Sequence, residues 1–204
     1  MITLERMMSI PKSDLQEESK ALNKDDIPQL IEWLSLKDDK IRYQAFLLLQ
    51  NRSKLFNDVY PFWDTFREKL KNNHSYQRSI GLMLVAENVR WDSQNRMEDT
   101  IDEYLALLKD EKPITIRQCI QSLGKVAPLK PNLNRKIADR LVSFDLMAIK
   151  DTMRKPLLLD ILNVLLAIRK EQQTDEAENF ILKALTGEIL DKKSKKQIEF
   201  DLQR

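Results

Sequence analysis

The chain has 204 residues, 42% of them hydrophobic and 32% charged, with a net charge of +2. That composition belongs to a globular chain of one domain or one short repeat array and excludes overall disorder, and it lacks the strongly basic balance of a dedicated nucleic-acid binder. Only three glycines, against seven prolines, and no sustained two-residue alternation of polar and apolar residues point to an all-α protein.

In chain order, Ser13 and Gln16 stand at capping-box spacing and predict a helix over SDLQEESKAL (13–22). IPQLIEWL follows, with Ile27, Leu30, Ile31 and Leu34 on one helical stripe; the turn KDD (37–39) leads into KIRYQAFLLL (40–49). Val59, Phe62, Trp63, Phe66 and Leu70 repeat the stripe, and KNNHS (71–75) joins them to YQRSIGLMLV (76–85). Met97, Ile101, Tyr104, Leu105 and Leu108 repeat it again, followed by KDEKP (109–113) and TIRQCIQSLG (115–124), with Pro113 suited to a first helical turn. Ile137, Ala138, Leu141 and Phe144 form the next stripe; a less defined turn near MAIKD precedes TMRKPLLLDI (152–161). DEAENFILKALTG (175–187) predicts a helix with Gly187 as its C-cap, and Ser194 with Gln197 predicts the start of a last helix.

An arginine occupies the same place in each second helix: Arg42, Arg78, Arg117 and Arg154, spaced by 36, 39 and 37 residues. Three residues after each comes Ala45, Gly81, Ile120 or Leu157, and then an apolar run. The unit is therefore helix A, tight turn, helix B, occurring about four times, because one pair cannot bury its apolar faces and stacked pairs can. The pattern resembles the HEAT/armadillo repeats, which often carry an acidic turn, a Val/Ile-Arg pair and an alanine three residues on. Asp38, Asp39, Ile41, Arg42 and Ala45 match it; Ile116 and Arg117 match with Asp110 or Glu111 upstream, and Met153 and Arg154 match with Asp151. The second unit departs, with Asn72, Asn73 and His74 in its turn and Gln77 before Arg78. The spacing is shorter than the roughly 40–47 residues usual for such repeats.

The resemblance covers residues 25–170 and implies an all-α, right-handed superhelix of HEAT-like pairs, with capping segments at 1–24 and 171–204. It also implies that each ladder arginine meets an acidic turn, as with Asp38 and Asp110, and that the second unit is the weakest joint. Such repeats bind partners on the concave face, which B helices line.

The chemical candidates are few. Cys119 lies among Ile116, Ile120 and Leu123, where a thiol is buried and inert. A lone cysteine fits a reducing compartment, and the N-terminal MITLERMMSIPKSD lacks a signal peptide's apolar core, so the chain reads as cytoplasmic. His74 is the only histidine and sits in a turn with no Cys/His cluster around it. Isolated glycines give no phosphate-binding loop. The pairs Glu17-Glu18, Asp25-Asp26, Asp38-Asp39 and Asp110-Glu111 fall where carboxylates favour helix N-termini. Trp33 and Trp63 read as core residues and Trp91 follows a B helix. The apolar run PLLLDILNVLLAI (156–168) is too short to cross a bilayer and contains Asp160; it is expected to be covered by neighbours, a partner groove being the alternative. Lys54, Arg90, Lys125 and Lys170 stand near the ends of successive B helices, where favourable helix-end charge is the plain reading and a basic rim the functional one.

The reading is a non-enzymatic scaffold or adaptor with no catalytic residue, metal or cofactor. It binds a protein partner through Gln50, Lys54, Arg90, Gln121, Lys125 and Asn163. The alternative is a DNA-binding or DNA-repair module using the same face, resembling the HEAT-like DNA-alkylation glycosylases, whose motif is not placed residue by residue on this chain.

Overall fold

A computed structural model describes residues 1–203, and among them the chain is all-α, with no strand. The described residues form twelve α-helices: α1 (Leu4–Ser9), α2 (Leu15–Ala21), α3 (Ile27–Trp33), α4 (Asp39–Leu55), α5 (Trp63–Lys69), α6 (Ser75–Asn88), α7 (Arg96–Ala106), α8 (Pro113–Val126), α9 (Asn134–Val142), α10 (Asp151–Arg169), α11 (Asp175–Thr186) and α12 (Lys192–Leu202). Short 3-10 turns precede or follow several of them. The chain divides into two compact units, Met1–Thr100 and Ile101–Arg204, the division falling inside the α7 sequence.

In the first unit α4 packs between α2 and α6, with α1 and α3 also on α4 and α5 on α6. The apolar stripes meet there: Met7, Leu30, Leu34, Leu48, Leu49, Trp63, Phe66, Leu82 and Leu84 have essentially no exposed surface. Burial of each such side chain contributes about 1.5–3 kcal/mol, which short helices of this kind need because they are marginal alone. The Trp63 indole satisfies its single donor by an Nε1 bond to the Thr100 hydroxyl at 3.1 Å.

In the second unit α10 is the central element, contacting α8, α9, α11 and α12, while α9 also packs on α11. This accounts for its apolar run. Leu157, Leu158, Ile161, Leu162, Val164, Leu165, Leu166 and Ile168 are all buried, while Leu159 is half-exposed. Neighbouring helices therefore cover this helix on most of its circumference.

The termini hold more helix than the sequence suggests, and their caps differ. Thr3 caps α1 by accepting from the Arg6 amide, a short helix whose periodicity is too brief to stand out. The Ser13 hydroxyl bonds Asp14 instead of capping, so α2 starts at Leu15 without the Ser13–Gln16 box. At the other end Asp191, not Ser194, caps the last helix, because its carboxylate accepts from the Ser194 amide and α12 starts at Lys192. Gly187 does follow α11, but with φ −74° and its amide bonded to the Lys183 carbonyl, so no left-handed cap is formed.

Two helical glycines have opposite reasons. A Cβ on Gly81 would lie 2.7 Å from the Phe66 carbonyl oxygen and 3.1 Å from Lys69 Cβ, so α5 and α6 approach too closely for any side chain. A Cβ on Gly124 would meet only Val164 Cγ2, at an ordinary 3.7 Å. Gly81→Ala is accordingly expected to destabilise by about 1–3 kcal/mol through overpacking, while Gly124→Ala is expected to be neutral or to stabilise by up to about 1 kcal/mol through helix propensity. Urea unfolding of both variants checks the pair.

Candidate partner-binding surface

The ladder arginines lie at the first turn of their own helices, where the dipole disfavours a cation. The structure shows what they reach. Arg42 is buried and its Nη1 donates to the Leu36 carbonyl at 2.7 Å and the Lys37 carbonyl at 3.3 Å, while Nη2 pairs with Asp39. Arg78 repeats the clasp on the Asn72 and Asn73 carbonyls at 2.8 and 3.0 Å. Arg154 donates to the Ile149 and Met147 carbonyls, both at 2.9 Å, and pairs with Asp151. These guanidiniums satisfy turn carbonyls that follow the preceding A helix.

The expected acidic partners are therefore corrected in detail. Asp38 caps α4 by accepting from the Lys40 and Ile41 amides, and Asp39 is the residue that meets Arg42. Asp110 accepts from the Lys112 amide, while Arg117 reaches across to α10 and bonds Asp160 through Nε at 2.7 Å. That bond and burial oppose one another, the bond prevailing to raise the Arg117 pKa. Because the clasp uses carbonyls, Arg78 forms it on the amide-rich turn at Asn72 and Asn73 as well.

A second set of donors closes helix ends between neighbouring pairs of the first unit. Gln44 donates to the Met7 and Ile10 carbonyls at the end of α1, at 3.3 and 2.9 Å. Gln77 donates to the Leu34 carbonyl at 2.7 Å and accepts from the Lys69 ammonium at 2.6 Å. Burial, and then the Arg42 charge, lower the Lys69 pKa. Arg52 donates through Nη1 to the Ser19 and Lys20 carbonyls at the end of α2, and through Nε and Nη2 to buried Asp58, with its guanidinium 3.7 Å from the Phe56 ring centroid. Likewise Trp91 Nε1 and Arg90 Nη1 donate to the Ser53 and Lys54 carbonyls, at 2.6 and 2.7 Å, closing the end of α4. Gln44 and Arg52 do not stand out in the sequence, and Gln77 does so only as a departure from the repeat pattern; a polar side chain interrupting a buried stripe is the available signal.

The candidate contact residues fall into two groups, one per unit. In the first, Gln50 is half-buried, while Lys54 and Arg90 are exposed; Lys54 donates to Asn51 Oδ1, and Arg90 is already engaged at the Lys54 carbonyl. In the second, Gln121, Lys125 and Asn163 are all exposed and come together. They line a cleft of about 450 Å³ between α8 and α10, with Gly124, Asp160 and Val164 completing it. Asp160 is spoken for, since it accepts from both Arg117 and, at 3.0 Å, Gln121 Nε2. Asn163 also lines an adjoining cleft of about 290 Å³ with Leu166, Ala167, Lys170 and Asp201. Gly124, in the cleft wall, is the residue that sequence reasoning left out: it leaves helix backbone uncovered where a side chain would fit.

Reactive chemistry is sparse. Among the described residues no cluster of three or more metal-binding side chains occurs. His74 is exposed and its ring stacks on Tyr76 at a centroid distance of 5.3 Å. Asp26 accepts from the Ile2 and Asn23 amides, so this acidic pair member also serves as a cap. No helix is long and apolar enough to cross a membrane among the described residues.

No protein-family model matches the chain, and no curated protein matches it. Among solved structures, the crystal structure of an engineered protein is similar, with a TM-score of 0.54 at 16% identity, over 100% of this chain and 96% of that one. The likeness is one of fold alone.

Cys119 has no exposed surface and its thiol donates to the Tyr104 carbonyl at 3.4 Å. Burial, and secondarily the Asp110 charge, push its pKa far above the ordinary 9.0. The folded protein is expected to exclude a disulfide reagent such as DTNB at about pH 8 until it unfolds. Below pH 9 the thiol is protonated in both states; above it only the unfolded thiol ionises, so its contribution to stability is lost as pH rises. Urea melts at about pH 8 and pH 10 should show a smaller decline for Cys119→Ala than for the wild type.

Proposed function

We propose that the chain is a non-enzymatic scaffold or adaptor whose helix pairs are HEAT-like repeats of a right-handed α-solenoid, and that a protein partner docks on its B helices. The observation that carries this reading is the α8–α10 cleft. Gln121, Lys125 and Asn163 stand around a strip of bare helix backbone at Gly124, and nothing in the cleft is arranged as nucleophile and base. Amide and ammonium groups around an open floor suit hydrogen bonding to a polypeptide, and a glycine there admits close approach. Asp160 and Asp201 on the same surface oppose a phosphate backbone, which weighs against the nucleic-acid alternative.

The test combines a photo-crosslinking residue at position 163 with pull-down from the source cell. One specific protein is expected to be captured by the wild type, crosslinked from position 163, and lost with the double change Lys125→Glu and Gly124→Leu. Retained capture by the double variant, with its helicity intact, would reject the cleft. DNA binding at low ionic strength with a steep salt dependence would instead support the nucleic-acid reading.

A further inference from the structure

A separate cavity of the second unit, on the side of the A-to-B turns, has the make-up of a small-molecule site. Its volume is about 390 Å³, and it is lined by Leu105, Leu108, Ile116, Phe144, Ala148 and Ile149, with Lys109, Asp110, Arg140, Ser143 and Asp145 also around it. That volume lies within the roughly 300–1,000 Å³ of ligand sites, and an apolar body with a few polar groups is their usual composition. The cavity exists because this connection is longer than its counterparts: residues 143–150 separate α9 from α10, whereas residues 34–38 separate α3 from α4.

The wall is held in place without any ligand. Arg154 bonds the Met147 and Ile149 carbonyls, and Asp145 accepts from the Met147 and Ala148 amides at 3.0 and 3.2 Å. Leu105, Leu108 and Ile116 belong to the buried core, so the floor is equally fixed. A preformed site does not spend binding energy on ordering itself.

The charges are unequal in their engagement. Both carboxylates accept from backbone amides, Asp145 as described and Asp110 from Lys112 at 2.8 Å. The Lys109 and Arg140 side chains are exposed and have no hydrogen-bond or ion-pair partner among the described residues. We propose that this cavity binds a small amphiphile with an apolar tail and an anionic head, a carboxylate or sulfonate. The tail lies among Leu105, Leu108, Phe144 and Ile149, and the head meets Arg140 and Lys109. Arg140 supplies the planar fork that fits a carboxylate in two bonds.

The test uses the full-length protein and a fluorescent anion, anilinonaphthalene sulfonate, displaced in turn by decanoate, decanol and decylammonium, which share one tail and differ in head charge. One saturable site is expected, with decanoate displacing the probe at a concentration about tenfold lower than decanol, and decylammonium weakest. Arg140→Glu with Lys109→Glu should weaken decanoate about tenfold or more while leaving decanol unchanged. Ala148→Trp, which fills the cavity, should abolish probe binding with the helical circular-dichroism spectrum retained. Lys125→Glu, which lies outside this cavity, should leave probe and decanoate binding as in the wild type. Absence of a saturable site, displacement without head-charge order, or decanoate binding unaffected by the double charge reversal each overturns the assignment.

Discussion

Every helix that ends inside a stack leaves carbonyl oxygens without an intrahelical partner, and this chain meets that constraint with side chains from the following helices. Arg42, Arg78 and Arg154 clasp the turns before their own helices. Gln44 and Arg52 of α4 close the ends of α1 and α2, Gln77 of α6 closes the end of α3, and Arg90 and Trp91, just after α6, close the end of α4. In the first unit α1, α2, α3 and α5 are only six or seven residues long, so their packing depends on such donors as well as on apolar burial. A buried carbonyl left unpaired costs about 1–3 kcal/mol, comparable to the burial of one large apolar side chain.

The same bonds resolve the electrostatic oddity of the ladder. A cation at a helix N-terminus is disfavoured by about 0.3–1 kcal/mol at an exposed site, yet Arg42 extends from the positive end of α4 to carbonyls just after α3, the negative end of its neighbour. Arg52 does the equivalent at the end of α2 while completing a buried pair with Asp58. Removing one member of such a pair typically costs about 3–5 kcal/mol, since the other is left buried and uncompensated. Arg117 is the exception: its partner, Asp160, is a side chain on another helix and also lines the cleft. The ladder position thus serves a turn in three pairs and a helix-to-helix bridge in one.

The two surfaces of the second unit differ in chemistry. The α8–α10 cleft is open and lined mainly by polar side chains with Gly124 and Val164, whereas the cavity between α7, α8 and α9 has an apolar body and a charged mouth. Both exist because side-chain bulk is missing where the packing would allow it: at Gly124 in the first, and in the long 143–150 connection in the second.

The all-α class and the order of A and B helices were legible in the sequence, because a period near 3.6 survives in stripes such as Ile27, Leu30, Ile31 and Leu34. The phase of the arginine ladder was legible too, since a repeated joint leaves a repeated residue. Its partners were not. Whether Arg42 meets Asp38, Asp39 or a carbonyl depends on turn geometry, and whether Arg117 turns to Asp110 or to Asp160, 43 residues further on, depends on how α8 and α10 pack. The starts of α2 and α12 escaped for a related reason: Ser13 and Ser194 have the right spacing, but the Ser13 hydroxyl bonds Asp14, whose carboxylate makes no cap bond, and the Ser194 amide is taken by Asp191. Periodicity thus determined the elements, being a property of consecutive residues. Tertiary structure alone decided the bonds between them, the grouping of Gln121 with Lys125 and Asn163, and the cavity beside Phe144, because each requires residues far apart in the chain to be brought to a common distance and angle.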